Sequence, residues 1–349
     1  MEEPLLRVDD LRVTFGSVDT GIRAVDGVSF DVYKGETLGI VGESGSGKTV
    51  TVMALLGLIP SPPGNIAGGT AYFDGDDLLA MSRNKLRKIR GGEIGMIFQD
   101  AMTALNPVFT VGSQIAEALR AHNPDESRTS ATEKAIGLLS DVGVPSPRQR
   151  FKEYPHQYSG GMRQRAMIAM AMANRPRLLI ADEPTTALDV TIQAQVLNVL
   201  ARAKADAQAS TILITHDLGV IAEMADRVAV MYAGRFVETG TVEEVFFDPQ
   251  HPYTIGLLTS LPRLDSEAET LIPIRGNPPS AANYPSGCRF HDRCDLSDGR
   301  ETCATEMPDL IPVGRSRLSR CHFTDEVPAF AQRRETQMHR RPDTEGNPL

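Results

Sequence analysis

The chain has 349 residues, 41% of them hydrophobic, which is enough for one large domain and a smaller appendage. A formal net charge of −9 argues against a protein that wraps nucleic acid, so we expect no nucleic-acid partner. The acidic N-terminus lacks the apolar core of a secretory signal, and no apolar run approaches the roughly 20 residues that span a bilayer.

The N-terminal part of the chain is predicted to be rich in β-strands. Leu5–Phe15 and Val25–Val32 alternate apolar and polar positions, as half-buried strands do. Thr37–Val41 is a short, mainly apolar run that suits a buried strand. Ala71–Phe73 and Ile94–Phe98 are two further strands, so we expect β-structure on both sides of the first glycine-rich motif.

That motif is GESGSGKT at residues 42–49, placed between the buried strand and a mostly apolar helix predicted at Thr49–Ile59. It fits the phosphate-binding pattern G-x-x-x-x-G-K-[ST], in which glycines let successive backbone N–H groups face phosphate oxygens. Lys48 is expected to reach the β- and γ-phosphates, and the Thr49 hydroxyl to ligate Mg²⁺. The alternative is a glycine-rich turn with a solvated lysine, which the flanking elements disfavour. The predicted nucleotide-binding residues are Gly42, Ser44, Gly45, Ser46, Gly47, Lys48 and Thr49.

The middle of the chain is predicted to alternate helices and strands. The segment after Ala101 is helical and loop-rich, with a helix at Ala131–Val142. Two apolar strands follow, separated by an amphipathic helix, and a closing hairpin comes after them; the predicted bounds are Leu178–Ala181, Ile192–Ala207, Thr211–Ile214, Val228–Tyr232 and Arg235–Glu238. Strands that alternate with helices indicate a parallel sheet covered by helices.

A pair of acidic residues ends the strand Leu178–Ala181. Asp182 is expected to hold Mg²⁺ directly or through water, and Glu183 to accept a proton from the attacking water. Taken alone, two adjacent carboxylates at a strand end are equally consistent with an exposed loop. The phosphate-binding loop earlier in the chain favours the catalytic interpretation.

The phosphate-binding loop, the acidic pair and the segment 158–165 together resemble the ATP-binding subunits of ABC transporters. The resemblance covers residues 5 to about 247. Ser159, Gly160 and Gly161 resemble the start of the LSGGQ-like family signature, with Tyr in place of Leu and Met in place of Gln. From the residues alone, a serine N-cap and two glycines indicate an anion-binding helix start; the alternative is a plain helix cap. The resemblance implies that this signature completes the ATP site of the opposite subunit in a head-to-tail dimer.

The resemblance also implies a fold class. It is an α/β P-loop NTPase with a RecA-like parallel sheet core, an antiparallel β subdomain and an α-helical signature subdomain at about residues 101–165. Together these form a nucleotide-binding domain of residues 1–249 that binds and hydrolyses ATP with Mg²⁺.

Four more positions match the family. Gln99 corresponds to the glutamine that senses Mg²⁺ and the attacking water and links the helical subdomain to the membrane subunits. His216 corresponds to the histidine that contacts the γ-phosphate, and Asp189 to the loop that crosses the dimer interface. Phe15 matches the aromatic that stacks on adenine, although tyrosine is commoner there and an aromatic at a strand end is equally often core. The implied catalytic residues are Lys48, Gln99, Glu183 and His216.

Beyond about residue 249 the composition changes to prolines, short apolar pieces and cysteines. The segments 251–254 and 287–294 resemble the C-terminal region of oligopeptide/dipeptide importer ATPases, a subgroup that includes nickel importers. We expect this separate region to cover residues 250–330. Residues 331–349 have mixed charge and almost no apolar periodicity, so they are predicted to be disordered.

All the cysteines lie in that region, which predicts a local metal site rather than a disulfide framework. Cys288, Cys294, Cys303 and Cys321 are separated by 5, 8 and 17 residues, which matches neither a zinc knuckle nor a common ferredoxin pattern. From the residues alone zinc is slightly favoured, and His291 and His322 support it. The family resemblance implies a [4Fe–4S] cluster with a structural role instead. Inert buried thiols are a further alternative.

The resemblance implies an ATPase that energises uptake of oligopeptides or dipeptides from the cytoplasmic face of the membrane. The implied partners are a second ATPase subunit, with a heterodimer favoured, two transmembrane permease subunits and an extracytoplasmic substrate-binding protein. The alternatives are an importer for nickel or another small solute, and a soluble ABC ATPase that acts in translation or DNA repair. The latter usually carry two ATPase halves or a long coiled-coil insertion, and neither is present here.

Overall fold

The computed structural model describes residues 3–16, 21–186, 188–260 and 272–338. Its strands are β1 (Leu6–Phe15), β2 (Ile22–Val32), β3 (Thr37–Val41), β4 (Gly64–Phe73), β5 (Asp76–Asp77), β6 (Ile94–Ile97), β7 (Leu178–Asp182), β8 (Ser210–Ile214), β9 (Arg227–Tyr232), β10 (Arg235–Thr241), β11 (Ile311–Pro312) and β12 (Leu318–Ser319). The strands form two sheets, which agree with the antiparallel subdomain and the parallel core that the family resemblance implies.

The helices are α1 (Lys48–Leu55), α2 (Arg83–Ile89), α3 (Ala101–Ala104), α4 (Val111–His122), α5 (Arg128–Asp141), α6 (Pro147–Arg150), α7 (Gly160–Ala171), α8 (Val190–Ala207), α9 (Leu218–Met224), α10 (Val242–Phe247), α11 (Pro252–Thr259), α12 (Glu301–Thr305) and α13 (Val327–Met338). Within the part of the chain that the structure describes, no helix combines the length and apolar character needed to cross a bilayer.

The four-stranded sheet is antiparallel, with the strand order β2-β1-β4-β5. Along β1, Leu6, Val8, Leu11 and Val13 are buried and most of the residues between them are exposed, because successive side chains point to opposite faces. The buried face packs with side chains of β3 and α1 in one apolar cluster. The antiparallel subdomain therefore packs directly against the strand and helix that flank the phosphate-binding loop.

The eight-stranded sheet has the order β11-β12-β10-β9-β3-β8-β7-β6. The strands from β9 to β6 run parallel, and β3, β7 and β8 are buried at every position. Fully buried parallel strands require apolar residues on both faces, which explains the continuous apolar runs in the sequence. The carboxyl ends of β3, β7, β8 and β6 lie at one edge and lead into Gly42, Glu183, His216 and Gln99.

Helices α3 to α7 lie between β6 and β7 in the chain and form the helical part predicted at about residues 101–165. Their apolar faces share one buried cluster that includes Ile115, Leu119 and Leu139. Side-chain caps begin α4 and α5, where the Thr110 and Ser127 hydroxyls accept the backbone N–H groups of Ser113 and Ser130. The signature helix α7 continues to residue 171, beyond the predicted boundary.

The C-terminal region contributes a strand to the main sheet. In β12, Leu318 and Ser319 pair with Thr239 and Glu238 of β10, and α11 packs in the same apolar cluster as the parallel sheet. The boundary near residue 249 stays a prediction. A two-residue strand has no pattern of its own, so its pairing is not visible in the sequence.

The prediction that residues 331–349 are disordered is wrong for residues 331–338, which belong to α13; residues 339–349 lie outside the described residues. Val327, Phe330 and Arg334 are at most 6% exposed and follow one another at helical spacing. Arg334 donates to Asp295 at 2.7 Å and to the Ile272 carbonyl at 3.2 Å. A charged side chain therefore supplies part of the buried face, and an apolar pattern alone does not show it.

Candidate functional site

The phosphate-binding loop joins β3 to α1 and has a backbone that only glycine adopts easily. Gly42, Gly45 and Gly47 have φ angles of 154°, 78° and 108°. A Cβ atom at Gly42 would lie 2.0 Å from the Met231 carbonyl oxygen, and one at Gly47 would lie 2.5 Å from the Ala24 carbonyl oxygen. Two of the motif glycines are therefore required by close packing as well as by conformation.

Lys48 lies across this loop. Its Nζ donates to the carbonyl oxygens of Gly42 at 2.8 Å and Glu43 at 3.0 Å, and burial lowers the pKa of its ammonium group. The Ser46 hydroxyl is buried and has no hydrogen-bond partner among the residues that the structure describes, whereas Ser44 and Gly45 are exposed at the tip of the loop. The loop thus combines a cation with an unpaired hydroxyl.

Thr49 and Asp182 face each other at the ends of α1 and β7, with the threonine Oγ1 donating to Asp182 Oδ1 at 3.1 Å. Burial raises the pKa of Asp182 to about 6, and the charge of Glu183 acts in the same direction. The Thr49 hydrogen bond and the Lys48 charge oppose that shift. A hydroxyl and a carboxylate oxygen are ligands that Mg²⁺ prefers, so these two residues fit the predicted magnesium site.

Glu183 follows β7 with a φ of 46°, and its Oε2 atom is the meeting point of several side chains. Gln99 Nε2 donates to it at 2.9 Å, Thr186 Oγ1 donates at 2.8 Å, and His216 Nδ1 lies 3.5 Å away. The structure therefore brings together three residues that the sequence analysis selected from distant segments. The sequence analysis did not select Thr186. The feature that could have identified it is a hydroxyl residue three positions after Glu183, where the Thr186 N–H donates to the Glu183 carbonyl oxygen at 3.2 Å and closes a turn.

The signature residues lie elsewhere. Ser159 caps α7 by accepting the Met162 N–H at 3.3 Å, and Gly160 is exposed. A Cβ atom at Gly160 would meet only the Leu188 side chain, at 3.5 Å. No hydrogen bond between described residues joins Ser159, Gly160 or Gly161 to the phosphate-binding loop. The two glycine-rich motifs of one chain are therefore not brought together.

Asp189 caps α8, where its carboxylate accepts the Ile192 N–H at 3.0 Å. Ile192 also packs against the signature, because a Cβ atom at Gly161 would lie 2.7 Å from Ile192 Cγ2. Asp189 and the next residue, Val190, are exposed, and 83% of Val190 is accessible. The signature and the start of α8 thus belong to one surface.

Phe15 ends β1 as a partly buried residue. It pairs with Ile22 and Gly64 on the neighbouring strands and packs against the apolar cluster of the antiparallel sheet. Part of its ring remains exposed, so its role as an adenine platform stays a prediction.

All four cysteines line one small pocket with room for about one water molecule. His291 and His322 also line it, but their ring nitrogens lie 2.7 and 2.9 Å from the carbonyl oxygens of Cys288 and Glu306. Burial raises the pKa values of the thiols, to about 11 for Cys288 and about 12 for Cys294 and Cys321.

This pocket has the donor chemistry of a metal site. Four soft thiol ligands suit zinc or an iron–sulfur cluster. Across residues 3–338, apart from the stretches not described, no three His, Cys, Asp or Glu side chains lie close enough together to hold one metal ion. A single bound ion such as zinc therefore has no support from the side-chain arrangement, and the [4Fe–4S] cluster stays a prediction.

Comparisons with known proteins decide the family. Residues 25–186 match the ABC transporter family, and residues 237–303 match the oligopeptide/dipeptide transporter C-terminal region. Dipeptide transport ATP-binding protein DppD of Bacillus subtilis is 53% identical over 292 residues, which cover 84% of this chain and 87% of the relative. Oligopeptide transport ATP-binding protein OppD of Escherichia coli is 50% identical, with coverage of 91% and 93%. The chain belongs to the ABC transporter ATP-binding proteins.

Solved structures agree with this ABC assignment. A dimer of the ATP-binding cassette MJ0796 in a post-hydrolysis state, bound to ADP and Pi, has a TM-score of 0.61 and 25% identity, covering 68% of this chain and 98% of that one. CbiO1 of Clostridium perfringens, part of an ABC transporter complex, has a TM-score of 0.59 and 27% identity, covering 71% and 92%. These structures confirm the predicted ABC cassette fold, and the family and its relatives confirm the predicted ATPase activity.

Proposed function

We propose that this ABC ATPase energises the import of oligopeptides or dipeptides from the cytoplasmic face of the membrane. The observation that most strongly supports this proposal is that one chain combines an ABC cassette with the oligopeptide/dipeptide transporter C-terminal region. Two relatives that are 53% and 50% identical to this chain, over most of their own length and of its length, are named for dipeptide and oligopeptide transport. We place the cassette at residues 1–249 and the transporter-type C-terminal region at 250–330.

The proposed nucleotide half-site is the phosphate-binding loop. Lys48 exchanges the carbonyl oxygens of Gly42 and Glu43 for the β- and γ-phosphates of ATP, and the unpaired Ser46 hydroxyl gains a phosphate oxygen. Backbone N–H groups of the loop and the first turn of α1 face the same anion. The residues proposed to bind nucleotide here are Gly42, Ser44, Gly45, Ser46, Gly47, Lys48 and Thr49.

The proposed magnesium ligands are Thr49 and Asp182, with Gln99 close enough to sense the ion through the Glu183 carboxylate it contacts. When bound, Mg²⁺ neutralises phosphate charge. Binding of a divalent cation requires the ionised carboxylate, so Asp182, whose pKa is about 6, loses its remaining proton as the site fills.

In the proposed hydrolysis step, the water oxygen bonds to the γ-phosphorus while Glu183 accepts a proton from that water, and the bond from the γ-phosphorus to the β-phosphate oxygen breaks and releases ADP. The hydrogen bonds from Gln99 and Thr186 hold one oxygen of its carboxylate, and the other oxygen is left to receive the proton. His216 is 3.5 Å from Glu183 and is largely exposed, which suits a contact with the γ-phosphate of a bound nucleotide.

The second half of each ATP site is proposed to come from a second ATPase subunit. Ser159, Gly160 and Gly161 form an exposed helix start, and Asp189 lies on the same surface, so both suit a head-to-tail contact. Phe15 is proposed to stack on adenine. By the family resemblance, we propose that the second subunit is a related chain, which gives a heterodimer.

Two permease subunits and an extracytoplasmic substrate-binding protein are the other proposed partners. Exposed apolar side chains cluster in sequence around Gln99, namely Phe98, Met102, Val108 and Phe109. Val108 and Phe109 are 70% and 54% exposed, which is unusual for large apolar side chains in consecutive positions. We propose that they contact the permease and carry movement to the Gln99–Glu183 pair.

We further propose that the four cysteines bind a [4Fe–4S] cluster with a structural role, with zinc as the alternative. The support is the chemistry of four thiols that line one pocket, together with the family resemblance. Iron, sulfide and zinc analysis of chain purified without oxygen tests it. Zinc without sulfide would contradict the cluster, and the absence of all three would contradict both.

The function is tested in cells that depend on this chain. Deletion is expected to abolish uptake of a labelled dipeptide or oligopeptide, and purification of the tagged chain is expected to bring two permease subunits and a related ATPase. Recovery with soluble proteins alone, or peptide uptake that does not need the chain, would contradict the proposed import function.

A further inference from the structure

Glu43, the second residue of the phosphate-binding loop, is held by two side chains of the C-terminal region. The guanidinium of Arg293 donates to both oxygens of its carboxylate, at 2.6 and 2.9 Å. The backbone N–H of Glu43 donates to the Tyr253 hydroxyl at 2.9 Å. The Glu43 carbonyl accepts from Lys48 at 3.0 Å. One loop residue thus connects the C-terminal region with the lysine of the nucleotide site.

Arg293 is itself held in place. It is 6% exposed, its Nε donates to the Arg275 carbonyl at 2.9 Å, and its guanidinium lies 5.7 Å from the Tyr232 ring centre and 6.0 Å from that of Phe290. A planar guanidinium that is buried, stacked and bonded at three nitrogens has little freedom to move. Its pairing with Glu43 therefore fixes the orientation of the carboxylate as well as its distance.

Tyr253 is held equally well. It is fully buried, and its ring packs against Tyr232 and Phe290 with centres 4.6 and 5.3 Å apart. The two groups that position Glu43 therefore contact one aromatic cluster, formed by Tyr232, Tyr253 and Phe290. Phe290 belongs to the cysteine segment 288–294, so this cluster connects that segment with the phosphate-binding loop. A displacement of these aromatic side chains would therefore be expected to move Glu43 and with it the phosphate-binding loop.

We propose that Arg293 is a positioning residue for ATP binding, acting through Glu43 with Tyr253 as a second contact. It touches no nucleotide; it holds the Gly42–Glu43 segment, whose carbonyls locate Lys48. This inference rests on ATP binding at residues 42–49. It makes the C-terminal region part of the support of the nucleotide site.

The test measures the dissociation constant of MgATP by calorimetry on the full-length chain. Arg293→Met is expected to weaken binding about tenfold, a typical coupling between neighbouring sites. Arg293→Lys keeps the charge but cannot pair with both oxygens, so we expect an intermediate loss. Arg334→Met is the matched control, because Arg334 is also 6% exposed, pairs with Asp295 at 2.7 Å and stacks near an aromatic ring, Phe330.

Two further variants keep the test decisive if Arg293→Met folds poorly. Tyr253→Phe removes one oxygen and keeps the ring, so MgATP binding is expected to weaken about threefold with little change in thermal midpoint, since a single neutral hydrogen bond is lost. Adding Glu43→Gln to Arg293→Met is expected to cause no further loss, because both changes break the same contact.

The inference is overturned if Arg293→Met and Arg334→Met weaken MgATP binding equally, or if the Glu43 and Arg293 effects add. It is also overturned if binding is unchanged in Arg293→Met and Tyr253→Phe. If the unaltered chain bound no MgATP, the nucleotide site itself would be wrong, which is a different result from losing only the effect of Arg293.

Discussion

Two helices of this chain begin at glycine-rich turns suited to phosphate, and they differ in how far the chain itself completes them. At α1 the loop is packed against carbonyl oxygens, crossed by Lys48 and supported from behind by Arg293. At α7 only the Ser159 cap is satisfied, and Gly160 is exposed. The first turn is suited to hold an anion within one molecule, whereas we expect the exposed backbone N–H groups of the second to bind the nucleotide of a partner.

The largest effect is expected from Glu183→Gln, which removes the proton acceptor beside the first turn and leaves both turns intact. Turnover of ATP should fall by about a thousandfold, within the range for loss of a general base, while MgATP binding is retained. Phosphate release and calorimetry measure the two quantities. Glu133→Gln is the control, because Glu133 pairs with Arg148 on an exposed surface. Equal turnover in Glu183→Gln and the parent would remove Glu183 from its proposed role.

The second turn is tested by Gly160→Asp. An aspartate at the first position of a helix favours the helix, and its Cβ atom meets only Leu188 at an ordinary contact distance, so the fold is expected to survive. Its charge opposes the phosphate of a partner's nucleotide, so turnover of the assembled ATPase should fall about a hundredfold.

Binding of MgATP to the isolated Gly160→Asp chain should not change, because its own phosphate-binding loop is untouched. Gly137→Asp, at an exposed position of α5 with nothing near its Cβ, serves as the control and should leave turnover unchanged. Weaker nucleotide binding by the isolated Gly160→Asp chain would mean that the two turns belong to one site within one molecule, which would contradict the proposed contact with a partner.

Titration of the Asp182 carboxyl, beside the first turn, is expected to make the free energy of unfolding depend on pH. Its pKa is raised from 3.8 to about 6 in the folded chain, so its stabilising contribution is present below about pH 4 and is lost as the pH rises through 6. Asp182→Asn should therefore increase the free energy of unfolding of the nucleotide-free chain at pH 8 by about 2–3 kcal/mol.

This gain should shrink as the pH is lowered to 4, and urea unfolding at pH 4, 6 and 8 measures it. The exposed Asp141→Asn is the control at the end of α5. Magnesium-dependent nucleotide binding should weaken in Asp182→Asn at every pH. A pH-independent difference from the parent would show that the Asp182 carboxyl is not the titrating group.

The smallest effect is expected from Thr186→Val, which deletes one of the hydrogen bonds to Glu183 Oε2. Turnover should fall about tenfold, since a hydrogen bond to a charged group contributes about 1.5 kcal/mol. Thr186→Ser keeps the hydroxyl and should restore most of the rate, as measured by phosphate release at saturating ATP. A serine variant as slow as the valine variant would assign the loss to packing.

The sequence predicted the elements that carry local patterns. The strand at Thr37–Val41 agrees with β3 at both ends, and the acidic pair lies at the end of β7, with Asp182 as its last residue and Glu183 next. The signature cap at Ser159 was also predicted from residue type and position. Helix α13 was missed because part of its buried face is the charged Arg334, and the pairing of β12 with β10 was missed because two residues carry no periodicity.

By itself, then, the sequence predicted which residues bind the nucleotide and determined in what order the motifs follow, since glycine conformation, strand burial and helix capping are local properties. Only the tertiary structure decided which atoms meet: Gln99, Thr186 and His216 at one oxygen of Glu183, and Arg293 at Glu43. Those contacts depend on the order of strands in the sheet and on packing between segments far apart in the chain, and no local pattern encodes either.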